Sequence, residues 1–376
     1  MVGEHLKNQP GGLVMLVRLV SALVLTIALI GATPPPAVTT APGASPAATA
    51  FTVADRAAVL DAAANALGHY AFHDRIAPLR AVLVANRTSY LQIGDPQAFA
   101  DAVTAGLYAV AHDKHIRLDY SSDILAPNTS QPSKADIQRV MQMFASRNYG
   151  VAGALRLKGN IGYLHLGNFG PMPDSKAVID AAMGMLHETD ALVIDVRHNG
   201  GGDPDSLDYL MGYFYGKPVE LTSIVMVQGG TTQTLHQFST AKVSGHKYLG
   251  KPLYVLTDDR TFSCAEQFAY DMKTLHRATL IGTTTGGGAN PGGFLRLSDH
   301  FSIFVPLGYA HNPYTKTNWE GVGVAPDVPT SAGDALLEAY RRALAAAPNT
   351  FPQVVPEREK AAADPSAALQ QSLPTL

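Results

Sequence analysis

Two short runs constrain this chain more than any other feature: residues 191–196 and 253–257. Their residues are Ala, Leu, Val, Ile, Tyr and Thr, with Asp195 the only charge. Runs of this kind fit strands buried on both faces, a condition met by a parallel sheet covered by helices on two sides. The surrounding grammar agrees. A strand at 161–166, a helix at 175–186, a helix opened by Pro204 and running to Met211, and strands at 219–227 and 278–281 alternate along the second half. That order predicts an α/β sheet carrying its chemistry at the carboxyl ends of its strands.

Ahead of this region the pattern is helical. Helices are expected over 55–67 and 76–86, and Asp95-Pro96 provides an N-cap and a first-turn proline for a third. Phe99, Val103, Leu107 and Val110 form its apolar stripe, and it delivers His112-Asp113-Lys114-His115 before a short strand at 116–120. A Met-rich helix over 135–145 presents Ile137, Val140, Met141 and Phe144 as a packing stripe. Residues 293–297 and 301–306 read as a hairpin turning at Ser298-Asp299. The expected organisation is a helical domain over 51–150, an α/β core over 151–346 and a tail over 347–376 ordered only in part.

The extreme N-terminus reads differently. Residues 13–32 are mostly apolar, interrupted by Arg18 and Ser21, with an uncharged centre too short for a membrane span, as in a signal-peptide core. Residues 33–50 are a Pro- and Ala-rich linker. Export to a periplasm or the exterior is the expectation; the alternative is a retained anchor that associates the protein with a membrane. Formal net charge is −3, so no strongly basic face for nucleic acid is implied. The single cysteine, Cys264, excludes an intrachain disulfide and a zinc site built from several thiolates.

The chemistry concentrates around Thr261-Phe262-Ser263-Cys264-Ala265-Glu266. Ser263 stands where a strand hands over to a helix, near N–H groups with no helical acceptor. That setting suits a nucleophile and equally suits a helix cap. Gly200-Gly201-Gly202 follows the strand at 191–196 without the spacing of a phosphate loop. It serves either as a tight turn or as backbone donors for an oxyanion. His112 and His115, three apart, would share a helical face. A metal would need a third ligand from His165, His187, His198, Asp195 or Glu266, which no spacing rule selects, so no metal and no cofactor are expected. One histidine acting as general base for Ser263 is the better active role, with Glu320 beside Trp319 a candidate to orient it.

Four blocks in fixed order carry a resemblance: Val193-Ile194-Asp195-Val196-Arg197-His198-Asn199-Gly200-Gly201-Gly202, Thr261 to Glu266, Leu280-Ile281-Gly282-Thr283-Thr284-Thr285-Gly286-Gly287, and Glu320-Gly321-Val322-Gly323-Val324-Ala325-Pro326-Asp327. Over roughly 55–345 the chain resembles the tail-specific serine proteases, a group including C-terminal processing proteases, the tricorn core and retinoid-binding repeats of the eye. The resemblance implies an α/β fold with a crotonase-like ββα core sheet and a smaller N-terminal helical domain. It also implies a Ser263 nucleophile, with Cys264 and Gly201 supplying oxyanion-hole N–H groups. The processing branch places a lysine about 25 residues after the serine, where this chain has Gly288. The tricorn-like branch uses a histidine and a late glutamate, matched by His115 and Glu320. That branch has serine before its histidine and this chain has Lys114, which leaves the base's support open. No stretch between His115 and 161 is long enough for the family's PDZ insertion. The expected protein is an exported peptidase acting on peptide or protein substrates; the alternative is a non-catalytic binder of an apolar ligand or peptide.

Overall fold

The computed structural model describes residues 51–125, 127–128 and 134–373. The apolar N-terminal run, the linker after it and the end of the tail lie outside these residues. Among the described residues, no helix is long and apolar enough to cross a membrane. The described residues divide into two compact units, one within 51–140 with 292–307, the other of 141–291 with 308–373.

The first unit is built on helices α1 (Val53–Ala66), α2 (His73–Ala85) and α3 (Pro96–Ala111). Asp95 caps α3 as expected: its carboxylate accepts from Ala98 N at 2.7 Å while Pro96 opens the first turn. The stripe Phe99, Val103 and Leu107 is buried with Leu60 of α1 and Leu79 and Leu83 of α2. Strand β1 (Arg117–Tyr120) pairs antiparallel with Phe301–Pro306, which pairs in turn with Gly292–Arg296. The expected hairpin therefore forms, and at period two its Phe301, Ile303 and Val305 enter the helices' core. One expectation fails. His112 turns into the left-handed region (φ 52°) and caps α3, so His112 and His115 do not share a helical face. The Met-rich helix Lys134–Ser146 forms, but Phe144 is its one buried residue and Ile137 is exposed. Its stripe is therefore not the core face its spacing suggested.

The second unit holds a six-stranded sheet. In chain order its elements are β2 (Val151–Leu157), β3 (Ile161–Leu166), α4 (Lys176–Leu186), β4 (Ala191–Asp195), α5 (Pro204–Met211), β5 (Leu253–Thr257), α6 (Cys264–Thr274), β6 (Thr279–Gly282), β7 (Val328–Pro329) and α7 (Ala335–Ala346). Strand order is β7-β6-β5-β4-β3-β2, parallel throughout except for β2 against β3. Every residue of β4 and β5 is buried, as their composition predicts. Leu192, Ile194 and Val255 face Met183 and Leu186 of α4, Leu207 of α5 and Phe268 and Met272 of α6. The intervening Val193, Tyr254 and Leu256 face Ala339, Tyr340 and Ala343 of α7. One alternating run thus supplies two cores, which holds β4 and β5 in register. A separate three-stranded sheet joins Gly308–His311, Ser223–Gln228 and Thr231–Leu235.

The tail is more ordered than its composition suggested. It forms helices Val355–Ala363 and Pro365–Ser372, and Arg358 is buried among polar partners. The guanidinium donates to the carbonyls of Gly159, Ala347 and Pro348 and to the buried carboxylate of Asp190. A charge pair removed from water in this way is what a Pro- and Ala-rich composition does not announce.

Candidate active site

Strand β5 ends in a turn fixed by Asp258. Its carboxylate accepts from the N–H groups of His198, Arg260 and Thr261 at 2.9, 3.1 and 2.9 Å. Thr261 Oγ1 donates to Val196 O at 2.8 Å, and Phe262 N donates to Asn199 O at 2.9 Å. These bonds tie the turn after β5 to the turn after β4. Ser263 then enters α6 with φ 55° and ψ −122°. The side-chain caps of α3 and α5, Asp95 and Asp203, stand in the ordinary extended region at φ −78° and −79°. A non-glycine residue in the left-handed half of the map costs roughly 1–3 kcal/mol and is held there only when its surroundings over-determine it. Capping alone does not require that.

Gly201 approaches Ser263 closely. A Cβ added there would stand 3.0 Å from Cys264 N and 3.0 Å from Ser263 Cβ, and φ is +109°. Gly202 lies against Phe169, where a Cβ would meet Phe169 O at 2.1 Å. The glycines are therefore required by packing as well as by conformation. The two expected oxyanion donors differ in their bonding. Cys264 is the first residue of α6, so its N–H is one of those no helical carbonyl can accept. The Gly201 N–H donates to Asn199 Oδ1 at 2.9 Å, while Asn199 Nδ2 donates to Leu166 O.

Glu266 lies one turn into α6 and is completely buried. Its Oε2 accepts from Ser263 N at 2.9 Å and Gly288 N at 2.8 Å; its Oε1 accepts from Thr285 Oγ1 at 2.5 Å and Gly287 N at 2.6 Å. Burial pushes its pKa up, and these four donors oppose the shift by favouring the ionised form. The adjoining Ala289 N donates to Glu320 Oε2 at 2.5 Å, and Trp319 Nε1 donates to Gly288 O at 2.7 Å. Ser263, Glu266 and Glu320 thus belong to one bonded set of backbone and carboxylates. Glu266 closes the Thr261–Glu266 block and is a conceivable metal ligand by residue type, but neither gives it a role beside Ser263. The pattern Ser263-x-x-Glu266, a reciprocal cap signature, was the available signal for it.

Behind Cys264 lie three acids. Burial pushes Asp208 up to about 8, Asp271 to about 7 and Asp203 to about 6. Burial, with the charges of these acids, also raises the Cys264 thiol well above its usual range, which makes it a buried hydrophobe and not a nucleophile. The sign for stability follows. A carboxyl whose folded pKa exceeds its unfolded value of about 3.9 binds more protons when folded, so stability falls as pH rises through that window. The urea midpoint is expected to decline from pH 5 to pH 9, with a shallower decline in Asp208→Asn. A midpoint that rises over the same range contradicts this account.

His115 belongs to the first unit and is buried. Its N–H donates to Asp113 Oδ1 at 2.9 Å, its ring stacks on Phe304 with centroids 5.6 Å apart, and Tyr70 OH donates to Asp113 Oδ2 at 3.2 Å. Lys114 is exposed. His198, by contrast, has Nδ1 2.5 Å from Asp258 Oδ2 and Nε2 2.9 Å from an Arg260 nitrogen.

With this geometry in hand, comparison with known proteins is informative. Residues 160–330 match the sequence model of peptidase family S41. That stretch contains β4, the glycine turn, Ser263, Glu266 and Glu320, so the match falls on the motif blocks that carry the resemblance. A carboxy-terminal-processing protease of Bartonella bacilliformis is 29% identical over 178 residues, 46% of this chain and 39% of that protein. The tricorn protease of Thermoplasma volcanium is 29% identical over 141 residues, 35% of this chain and 11% of its own. The chain therefore spans well under half the length of these curated relatives. A lipoprotein structure from Streptococcus agalactiae shares the fold at 15% identity with a TM-score of 0.50, covering 77% of this chain and 96% of the other.

Proposed function

We propose that the protein is an exported serine peptidase that cleaves peptide bonds through an acyl-enzyme on Ser263. The observation that carries this reading is the backbone of Ser263, held at φ 55° at the start of α6 within the S41-matched stretch. Ser263 Oγ attacks the substrate carbonyl carbon as His115 takes its proton; the tetrahedral oxygen is met by the Cys264 N–H. Gly201 N–H joins as a second donor by sharing its hydrogen between Asn199 Oδ1 and the oxyanion, a three-centre arrangement. Collapse breaks the C–N bond, and protonated His115 gives its proton to the leaving amine. Water, deprotonated by the same imidazole, then hydrolyses the ester. Glu320 favours the imidazolium form. No cofactor enters these steps.

Export rests on the apolar run at 13–32 and the linker after it. The substrates are peptides or protein segments, the class named by the Bartonella relative. The test is incubation of the purified protein with a peptide library, reading new termini by mass spectrometry. Cleavage by wild type and none by Ser263→Ala is expected. A folded wild type that retains peptides without cutting them would establish the binding alternative instead.

A further inference from the structure

We infer that Glu266 is a positioning residue for catalysis, the anchor that holds Ser263 in its left-handed conformation and fixes the loop bearing on Glu320. This rests on the peptidase reading above and deepens it. The carboxylate divides its bonds evenly. One oxygen accepts from Ser263 N and Gly288 N, the other from Thr285 Oγ1 and Gly287 N. A helix cap of ordinary function needs the first of these bonds only. The other three leave α6 and fasten it to the 285–288 segment, whose next residue, Ala289, donates to Glu320. Thr285 extends the same fastening, since its hydroxyl accepts from Val324 N at 2.7 Å as it donates to Glu266. The nucleophile's own N–H and the glutamate's loop therefore meet on a single buried carboxylate, two hydrogen bonds apart.

The strained φ of Ser263 requires such an anchor. Its N–H must point somewhere, and the Glu266 oxygen receives it at 2.9 Å in an orientation fixed from three other directions. An amide cannot reproduce this. Four donors converge on two oxygens, and in Glu266→Gln one oxygen becomes an NH2 that faces two of those donors, whichever way the amide turns. The variant keeps shape and loses register. A displacement of about 1 Å at the nucleophile is enough to cost roughly 10²-fold in rate.

The experiment compares peptide hydrolysis and fluorophosphonate modification of wild type and Glu266→Gln, with thermal unfolding as control. The expected result is a fall in kcat of about 10²-fold, with KM within about twofold and a slower second-order modification of Ser263. If Glu266→Gln does not fold, Thr285→Val, which deletes one donor to Oε1, is expected to lower kcat about tenfold, and Thr285→Ser to restore it. A folded Glu266→Gln with wild-type kcat overturns the inference, as does a kcat loss no larger than the folded fraction lost. So does an unaltered kcat in Thr285→Val. A wild type that neither cleaves peptides nor takes the label at Ser263 instead overturns the peptidase reading itself.

Discussion

Ser263→Ala is expected to lower peptide hydrolysis by at least about 10⁴-fold while leaving the urea midpoint near wild type. Only a hydroxyl is removed from a half-buried position, so the loss of its cap should cost no more than about 1 kcal/mol. His115→Ala is expected to lose activity on a similar scale, since the proposed nucleophile and base would act as a unit and their losses would not add. The double variant should therefore be barely worse than either single one. Progress curves at substrate saturation check both statements. Additive losses would mean that the two residues act independently, and the proposed proton transfer would fail with them.

Arg358→Met carries the second large effect, on stability. Asp190 is fully buried, and Arg358 is its charged partner as well as the donor to three backbone carbonyls. Deleting the cation leaves a carboxylate without compensation, a change that costs about 3–5 kcal/mol where a buried pair is broken from one side. Replacing both partners, Asp190→Asn with Arg358→Met, should recover part of that loss. Equilibrium urea unfolding of the three variants measures it. A single variant within about 1 kcal/mol of wild type would mean that the tail helices are dispensable to the sheet they pack on.

Much of the architecture was legible because its determinants are local. The runs at 191–196 and 253–257 lack a polar face, and the structure buries both faces. Asp95-Pro96 predicts the start of α3 because a cap and a first-turn proline act within four residues. What escaped was non-local. The end of α3 at Ala111 depends on His112 taking φ 52°, a choice that no periodicity reveals. The burial of Arg358 depends on Asp190, 168 residues earlier in the chain, a partner that no local pattern in the tail announces. The same holds at the site. Ser263, the glycine turn and Glu320 stood out through their motif blocks, but the bonding of Glu266 to Thr285, Gly287 and Gly288 spans 19 to 22 residues and needs the folded loop to be seen. Gly201 was named as a donor from its motif; its N–H bond to Asn199 Oδ1 is a detail of the turn's geometry.

An activated hydroxyl at the head of α6 is what the proposed peptidase chemistry requires. The most direct measurement is the rate at which a fluorophosphonate modifies Ser263, followed by mass mapping from pH 5 to 9 in wild type and in His115→Ala. A single adduct on Ser263, forming faster as an imidazole loses its proton and losing that pH dependence in His115→Ala, is the predicted result. An adduct elsewhere, or a Ser263 that reacts identically without His115, would contradict it.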